Sequence, residues 1–354
     1  MSGSIPSVLF VTRKWAPAVG GMETWAHRLS EELAKLGPVE VVALPGNPDG
    51  SPPGAWRLAL FPFAVVRHLL ARGGPAVLHL GDMALWPLGL LTPRAKVVLS
   101  AHGTDVSYHR RGGPKGCLYG LYLRLGARLM RRAQVVANSA ATARAASETG
   151  WADAAIVPLA TDMAEPATDA DANSPSPAIL FAGRLVARKG CGWFVREVLP
   201  ALPPEITLRI AGIHWDANEA WVAEHPRVRF IGPLAPADLA REYAEALCVV
   251  VPNIEPKNGD FEGFGLVACE AAAAGGVVLA ARTGGLVEAV RDGETGTLLP
   301  PGDAAAWIEA IGAVRAWNPA DRAERVAAAR RIAREYYTWP RVARETAAIY
   351  RTAA

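Results

Sequence analysis

The sequence predicts an α/β protein made of two doubly wound domains, each built on a parallel sheet. Short, continuous apolar runs alternate with helical stretches along the 354 residues. Continuous rather than alternating apolar runs are typical of parallel strands that are covered on both faces. A stretch rich in Asp, Ala, Ser and Pro interrupts this pattern once and separates two similar series. The length also fits two domains better than one or three.

The first series predicts an N-terminal domain over residues 1–160, followed by a linker over 161–177. Its predicted strands are Val8–Val11, Val39–Leu44, Val77–Leu80, Val97–Ser100 and Val135–Ala137. Its predicted helices are Glu23–Leu36, Phe63–Ala71 and Leu118–Arg132. Because parallel α/β sheets bind ligands outside the carboxyl ends of their strands, we expect functional residues on the loops that follow these strands.

The second series predicts a C-terminal domain over residues 178–335. Its predicted strands are Ile179–Ala182, Thr207–Ala211, Val228–Ile231, Val249–Val251 and Val277–Ala281. Residues 336–354 form a last segment, in which the predicted helix Arg341–Arg351 follows Pro340 and is free to return to the N-terminal domain. The two domains are expected to face a shared cleft.

Composition narrows the class of protein. Half of the residues are hydrophobic and a fifth are charged, which suits a globular protein with sizeable cores. A net charge of +3 argues against a dedicated nucleic-acid binder. The four cysteines show no C-x-x-C spacing, and no apolar run is long enough to span a bilayer or resembles a signal peptide. A cytoplasmic protein without a structural metal is the expectation.

The segment Asp260–Glu270 is the strongest candidate for a ligand site. Glu262 opens a Gly-Phe-Gly turn that leads into an Ala-rich helix containing Glu270. Turn glycines allow backbone amides to approach a ligand, and a helix start attracts phosphate. Carboxylates repel phosphate, so they are suited to hydroxyls, and the combination describes a nucleotide sugar. Glycine turns and surface glutamates are common, so this segment alone leaves an ordinary turn equally open.

A basic loop follows the first strand of the second domain. Arg184 and Lys189 lie on Gly183–Gly190, where they are placed to neutralise a departing diphosphate. The alternative is a solvated basic loop, and the sequence favours neither interpretation. We expect Arg188, between these two cations, to be solvated.

Two strand-end loops of the first domain carry further candidates. Gly20-Gly21 precedes a helix that begins near Glu23, although the spacing is not that of a dinucleotide-binding fingerprint. A plain tight turn is slightly favoured there over a phosphate site. His102 directly follows a strand beside Gly103, where it is well placed to contact a substrate hydroxyl.

The sequence gives little support for a metal site. The other histidines show no metal-ligand spacing. Asp169-Ala170-Asp171 matches a metal-binding pattern but lies in the predicted linker, so we interpret it as chance.

The segment Pro114–Arg132 predicts a basic amphipathic helix. A helix of this kind is suited to an anionic membrane surface. The alternative is an ordinary domain helix with its leucines in the core and its arginines in solvent. We expect the leucine face to be core and leave the role of the Arg124–Arg132 face open.

Taken together, these motifs resemble the retaining glycosyltransferases of family 4, which have the GT-B fold of two Rossmann-like domains facing a central cleft. The resemblance covers nearly the whole chain and is strongest from Ile179 to Gly302. The matching residues are Gly20-Gly21, His102-Gly103 with Asp105, Gly183-Arg184, Lys189-Gly190, Glu262–Gly265, Glu270, Gly284-Gly285, Glu288 and Asp292–Gly296.

The resemblance implies a donor site for a UDP- or GDP-sugar. Gly20 and Gly21 would meet the distal phosphate, and Arg184 and Lys189 would bind the diphosphate. Glu270 would accept hydrogen bonds from the ribose hydroxyls. The remaining donor-binding positions implied are Gly183, Gly263, Phe264, Gly265 and Leu266.

The resemblance also implies the reacting groups. Glu262 would hold hydroxyls of the transferred sugar, and His102 would lie near that sugar. Together with Arg184 and Lys189 these are the implied catalytic residues, whereas Asp105 and Glu23 are assigned to the acceptor side. The sugar's configuration would be retained without a protein nucleophile, a metal or another cofactor.

Several alternatives stay open. A nucleotide-sugar epimerase or hydrolase of the same fold would bind the donor but need no second substrate, and a non-catalytic sensor would only bind it. The sequence leaves the donor base, the sugar and the acceptor undefined; the acceptor is a glycan, a lipid-linked sugar or a small molecule. The polar segment Pro252–Asp260 is long for the family.

Overall fold

A computed structural model describes residues 4–18, 20–166, 176–256 and 259–351 of the chain. The chain divides into two compact units, which differ from the predicted domains mainly at the C-terminus. Unit 1 consists of Met1–Leu159 together with Trp339–Ala354, and unit 2 consists of Ala160–Thr338. Residues 167–175 of the predicted linker lie outside the described residues.

Unit 1 is built on a six-stranded parallel sheet of order β2-β1-β3-β4-β5-β6. Its strands are β1 (Val8–Trp15), β2 (Val39–Pro45), β3 (Val77–Leu80), β4 (Lys96–Ala101), β5 (Gln134–Ala137) and β6 (Ala155–Ile156). Its helices up to residue 147 are α1 (Gly21–Ala34), α2 (Ala55–Arg72), α3 (Thr104–Ser107), α4 (Gly113–Leu129) and α5 (Ala140–Ser147), with 3-10 segments at Met83–Leu91 and Tyr108–Arg111. The five predicted strands are present, and the two-residue β6 is an addition.

Unit 2 contains a second six-stranded parallel sheet, of order β12-β11-β10-β7-β8-β9. Its strands are β7 (Ala178–Ala182), β8 (Thr207–Ala211), β9 (Val228–Gly232), β10 (Val249–Val251), β11 (Val278–Ala281) and β12 (Thr297–Leu299). Its helices are α6 (Cys191–Trp193), α7 (Pro236–Glu245), α8 (Leu266–Ala274), α9 (Leu286–Ala289), α10 (Ala304–Arg315) and α11 (Pro319–Tyr336). Shorter segments are the 3-10 turns Ala187–Lys189, Leu199–Ala201 and Ala217–Glu224 and the π-turn Phe194–Val198.

The two sheets confirm the predicted fold class of two doubly wound parallel-sheet domains. The central strands β3, β7 and β10 are buried at every residue, as continuous apolar runs predict. Helix starts carry the expected capping side chains. Ser139 accepts from the backbone N–H of Thr142 at 3.1 Å, and Asn318 accepts from that of Asp321 at 2.9 Å.

The last helix, α12 (Trp339–Arg351), packs in unit 1. The Tyr350 hydroxyl lies 2.5 Å from Nδ1 of the fully buried His79, whose Nε2 lies 2.8 Å from the Ser100 hydroxyl. Arg341 donates to the carbonyls of Pro158 and Leu159. Buried polar contacts therefore attach the C-terminal helix to the first sheet.

Helix α4 corrects one sequence expectation. Its leucines were expected in the core, yet Leu118, Leu121, Leu125 and Leu129 are 48 to 69% exposed. The buried residues of the helix are instead Gly116, Gly120, Leu123 and Gly126. The hydrophobic period identified the helix correctly, but the glycine face allows a closer approach to the domain than the leucine face.

Candidate functional site

The carboxylate of Glu262 is the centre of a charged cluster in unit 2. Its Oε2 lies 2.6 Å from Nη1 of Arg188 and 2.6 Å from Nζ of Lys189. The side-chain amide of Asn253 donates to the same oxygen at 3.2 Å. Exposed fractions of 14% for Glu262, 15% for Arg188 and 11% for Lys189 show that these charges are largely withdrawn from water.

The cluster keeps Glu262 ionised. Burial acts to raise the pKa of its carboxyl, but the charges of Lys189 and Arg188 and the hydrogen bonds to it outweigh burial and lower the pKa to about 2. Glu262 therefore offers a fixed negative charge that accepts hydrogen bonds. Asn253 is 2% exposed, and its Oδ1 has no hydrogen-bond partner among the described residues. An acceptor without a donor thus lies in the same cluster.

The expectation that Arg188 is solvated is wrong. Its Nε also lies 3.3 Å from Asp260, so its guanidinium bridges two carboxylates. The 3-10 turn Ala187–Lys189 ends at Gly190, where the backbone φ is +70°. The roles of Arg188 and Asn253 were not predicted from the sequence. The one available signal was Asp260, two residues before Glu262, because it offers the Arg188 loop a second carboxylate.

The turn after Glu262 depends on a second pair of glycines. The backbone N–H of Gly285 donates to the Glu262 carbonyl at 2.8 Å, and a Cβ at Gly285 would lie 2.2 Å from the carbonyl oxygen of Gly263. The turn ends at Gly265, with φ of +99°, and α8 then begins at Leu266. Phe264 is buried beneath it at 3% exposure. The backbone of residues 262–265 is therefore held against the 284–285 loop.

Glu270 lies on α8 beside a buried tyrosine. The Tyr243 hydroxyl donates to its Oε2 at 3.4 Å. Burial raises the pKa of the Glu270 carboxyl above its ordinary value, while Tyr243 and Lys189 act in the opposite direction. Burial also raises the pKa of the Tyr243 hydroxyl, which stays protonated and serves as a donor.

Arg184 takes a different position from Lys189. It is exposed, and its guanidinium stacks over the ring of Trp215 at 5.0 Å from the centroid. The preceding Gly183 has a φ of +132°. Trp215, on the loop after β8 and 64% exposed, was not found from the sequence. Among the described residues, the ion pairs of Glu262 are with Arg188 and Lys189 and not with Arg184.

His102 in unit 1 lies at the carboxyl end of β4. Its Nε2 is 3.0 Å from the Gly81 carbonyl, and its ring packs edge-on against Trp25 with centroids 4.3 Å apart. Asp105 accepts from the backbone N–H of His102 at 2.8 Å. Burial raises the pKa of the Asp105 carboxyl, although the nearby His102 opposes the shift. Asp105 thus fixes the loop that carries His102.

A polar cluster beside His102 was not predicted. Nε of Arg13, in β1, lies 2.7 Å from Oδ2 of the fully buried Asp82. The Tyr119 hydroxyl donates to the Asp105 carbonyl at 2.8 Å, and the Tyr122 hydroxyl donates to the Ala84 carbonyl at 2.6 Å. The strand-end positions of Arg13 and Asp82 were the available signal.

The predicted glycine pair lies at the start of α1. Gly20 is the capping residue, in extended backbone, and Gly21 is the first helical residue. The Glu23 carboxylate lies over this turn: its Oε2 is 2.4 Å from where a Cβ on Gly20 would be. Glu23 also pairs with Lys14 at 3.6 Å. Asp105 and Glu23 therefore both contact loops that follow strands of unit 1.

Within the part of the chain that the structure describes, no group of three or more His, Cys, Asp or Glu residues is arranged to hold a metal ion. Asp169 and Asp171 lie outside the described residues.

Two family models match the chain, one in each half. The model for Glycosyltransferase Family 4 matches residues 19–165, and the model for Glycosyl transferases group 1 matches residues 176–316. Together they account for most of the sequence.

Curated relatives point to the same family. The chain is 35% identical over 197 residues to a D-inositol 3-phosphate glycosyltransferase of Nocardioides sp., an alignment that covers 49% of this chain and 41% of the relative. The chain therefore matches about two fifths of that relative's length. It is 29% identical over 409 residues to a glycogen synthase of Mycobacterium tuberculosis, covering 97% of this chain and 94% of that protein.

Solved structures share the fold. Sucrose-phosphate synthase from Thermosynechococcus elongatus superposes with a TM-score of 0.74 at 23% identity, covering 98% of both chains. Anabaena HepE, solved in complex with UDP and glucose, superposes with a TM-score of 0.68 at 20% identity, covering 98% of this chain and all of HepE.

The fold and the family matches define a GT-B glycosyltransferase, as predicted. The chain belongs to glycosyltransferase family 4. The resemblance to family 4 and to the GT-B fold, stated from the sequence, is confirmed.

Proposed function

We propose that this glycosyltransferase moves a hexose-type sugar from a nucleoside-diphosphate sugar to an acceptor hydroxyl, with retention of configuration and without a metal. The observation that carries the proposal is the ionised Glu262 carboxylate, paired with Arg188 and Lys189, at the turn that leads into α8. This arrangement places a carboxylate that can accept from hydroxyls and two cations beside the start of a helix.

Glu262 and Asn253 are suited to sugar hydroxyls. A carboxylate that stays ionised accepts a strong, charge-assisted hydrogen bond from a hydroxyl and repels phosphate. The unpartnered Oδ1 of Asn253 supports the same assignment, because a buried acceptor gains by meeting a ligand donor. We assign the transferred sugar to these two side chains.

Lys189 and Arg188 are suited to the diphosphate. As the sugar bond breaks, negative charge grows on the leaving oxygen, and preorganised cations in a site that excludes water stabilise that charge strongly. A divalent metal would supply the same neutralisation, so these cations support a metal-independent reaction. Arg184, stacked on Trp215, is exposed and available for a phosphate further from Glu262.

Glu270 and Tyr243 are suited to the nucleoside. The Tyr243 hydroxyl holds one oxygen of Glu270, and the carboxylate can then accept from ribose hydroxyls. UDP is the donor base to test first, because a structural neighbour of this fold was solved with UDP-glucose. GDP remains the alternative to be tested.

The acceptor is assigned to unit 1, near His102 and the Arg13–Asp82 cluster. These are polar groups at the carboxyl ends of parallel strands, where α/β proteins bind ligands. A glycan, a lipid-linked sugar and a small molecule are the acceptor classes to compare. We place the reaction in the cytoplasm, where the thiols of the free cysteines Cys117, Cys191, Cys248 and Cys269 stay reduced.

A donor panel tests this proposal. Thermal stabilisation by UDP- and GDP-sugars identifies the donor, because a ligand that binds only the folded state raises stability by mass action. The product's anomeric configuration, read by NMR, then tests retention, and turnover in excess EDTA tests metal independence. A product of inverted configuration, or activity lost in EDTA and restored by Mg²⁺, would contradict the corresponding part.

The same assay separates the alternative functions. A transferase releases nucleoside diphosphate faster when the acceptor is present, whereas a hydrolase releases it at the same rate from donor alone. An epimerase changes the sugar without releasing nucleoside diphosphate, and a sensor is stabilised by the donor without changing it.

A further inference from the structure

Helix α4 presents its large apolar side chains to solvent. Leu118, Leu121, Leu125 and Leu129 follow one another at spacings of three and four residues, so they form one stripe along the helix. Their exposed fractions are 69, 62, 48 and 52%. Such a continuous exposed apolar stripe is uncommon on a soluble domain and indicates an interaction surface.

The opposite face of α4 explains why the leucines point outward. A Cβ at Gly126 would lie 2.8 Å from the ring atoms of both Trp86 and Trp151, and a Cβ at Gly120 would lie 3.1 Å from His109. The helix therefore packs against the rest of the domain through its glycine face. Turning the leucines inward would require the helix to move away from these aromatic rings, so their exposure follows from close packing.

Helix α2 and the 3-10 segment Met83–Leu91 extend this surface. Trp56, Phe63 and Leu70 on α2 are 71, 70 and 83% exposed, and Leu90 and Leu91 are 49 and 46% exposed. The connections β2 to β3, β3 to β4 and β4 to β5 all run in one direction across the sheet. Right-handed crossovers place them on the same face of the sheet. We call the exposed apolar residues of α2, α4 and the Met83–Leu91 segment the α2/α4 face.

The charge of this part of the chain is strongly one-sided. Residues 50–147 contain thirteen Lys and Arg but only two acidic residues, Asp82 and Asp105. Asp82 is fully buried and Asp105 contacts the His102 loop, so neither neutralises the surface. The exposed cations on and just after α4 are Lys115, Arg124, Arg128, Arg131 and Arg132. The whole chain carries a net charge of only +3, so the positive charge is concentrated here.

We propose that the α2/α4 face binds the surface of an anionic lipid bilayer, with its leucines and aromatic rings at the acyl boundary and its cations among the headgroups. Cationic side chains bordering an apolar stripe fit this environment, in which a helix lies in the interfacial plane. None of the described helices is long and apolar enough to cross a membrane.

The charge favours a bilayer over a second copy of the chain. Two copies meeting through this face would bring two excesses of positive charge together, whereas anionic headgroups neutralise them. The α2/α4 face contains none of the residues assigned to the donor. A failure of vesicle binding would therefore leave the proposed glycosyl transfer standing, and a failure of glycosyl transfer would leave the proposed vesicle binding standing.

Co-sedimentation with lipid vesicles tests the proposal. The full chain is expected to bind vesicles of phosphatidylcholine and phosphatidylglycerol, to bind pure phosphatidylcholine much more weakly, and to lose binding as salt is raised. R124Q/R128Q should weaken binding by about thirtyfold, because each cation near an anionic surface strengthens binding about five- to sixfold. L121N/L125N should also weaken it, by about tenfold or more.

Matched controls separate the surface from general effects. R315Q/R331Q removes two exposed arginines from α10 and α11 of unit 2 and should leave vesicle binding unchanged. Circular dichroism and thermal midpoints check that all variants are folded, which is expected because the substituted side chains are exposed. Turnover of a soluble acceptor should be unchanged in every variant.

Two results would overturn the proposal. One is wild-type protein that stays in the supernatant with phosphatidylglycerol vesicles at low salt, or α4 variants that bind like wild type. The other is a dimer, seen by analytical ultracentrifugation, that L121N/L125N dissociates while vesicle binding is absent. The second result would assign the face to self-association instead.

Discussion

Lys189 Nζ lies 2.6 Å from Oε2 of Glu262, the same oxygen that Arg188 contacts at 2.6 Å. Two cations therefore share one carboxylate oxygen, with the side chain of Asn253 as a third donor. Arg188 has a second anionic partner in Asp260, whereas Lys189 has Glu262 alone among the ion pairs of the described residues. Lys189 is thus the cation more readily shared with an incoming anion.

Removing either cation is expected to slow turnover. Lys189→Met and Arg188→Met should each reduce kcat by about a hundredfold or more, as expected when a group that stabilises developing charge is lost. Steady-state kinetics with the best donor measures this. Arg241→Met, which removes an exposed arginine paired with Asp238 on α7, is the matched control and should retain wild-type kcat. Wild-type kcat in Lys189→Met would remove the diphosphate role.

A single methyl group at Gly285 is expected to disturb the donor turn. A Cβ there would meet the Gly263 carbonyl at 2.2 Å, although the backbone φ of −79° itself accepts alanine. Gly285→Ala should therefore displace the Glu262 turn and raise the donor KM or lower kcat by about tenfold or more. Donor-dependent kinetics and a thermal melt measure both effects.

Gly312 provides the control for that substitution. It lies inside α10, and a Cβ there would meet nothing within 4 Å. Gly312→Ala should leave activity unchanged and stabilise the protein by about 0.5–1 kcal/mol, because alanine is the better helix former. Equal kinetics in the two variants would show that the contact between the two loops has no part in donor binding.

Tyr243 is expected to act through Glu270. Tyr243→Phe removes the hydroxyl that donates to Glu270 at 3.4 Å, so the carboxylate loses its orientation. The donor KM should rise several-fold with little change in kcat, and Tyr243→Phe should also weaken binding of the free nucleoside diphosphate in calorimetry. Tyr336→Phe, whose ring lies against Arg291, serves as control. A change confined to kcat would place Tyr243 elsewhere in the mechanism.

His79 is expected to make unit 1 sensitive to acid. Burial, with a smaller contribution from His102, lowers the pKa of its imidazole from 6.5 to about 3. Between these two values the unfolded chain binds a proton that the folded chain does not, so acidification favours unfolding. The thermal midpoint of the wild type should fall between about pH 7 and about pH 5.

The variant His79→Asn isolates this effect. It should melt lower than wild type at neutral pH, because the Tyr350 and Ser100 hydroxyls lose their partner, but should show a smaller loss on acidification. Equal slopes in the two proteins would mean that other groups account for the acid sensitivity.

Much of the fold was predictable because the strands are uniformly apolar. Ten predicted strands lie where the structure has them, and runs such as Val77–Leu80 match residue for residue. The strands that were missed, β6 and β12, span two and three residues and carry almost no periodic signal. The alternation of helices with strands then predicted that both sheets are parallel.

The candidate site was only partly predictable. Glu262 and Glu270 were marked by glycines and a helix start, which are local signals. Arg188 was misjudged because its environment depends on Asp260 and Glu262, over seventy positions away, and charge runs are usually solvated. Asn253, Tyr243 and Trp215 gave no local pattern, since each is defined by a contact with another loop.

Helix α4 shows the limit of periodicity. The repeat of leucines predicts a helix, but it does not reveal which face meets the domain. Three glycines on the opposite face decided that, because Gly126 permits contact with Trp86 and Trp151, and Gly116 and Gly120 permit contact with His109, that side chains would block. A glycine stripe opposite a leucine stripe was the signal available in the sequence.

The central claim is that Glu262 holds the sugar that this enzyme transfers. The most direct measurement is the rate of acceptor-dependent nucleoside diphosphate release by wild type and by Glu262→Gln, which keeps the shape of the side chain and removes its charge. We predict a loss of about a hundredfold or more, with the affinity for the free nucleoside diphosphate retained. Wild-type release by Glu262→Gln would contradict the account.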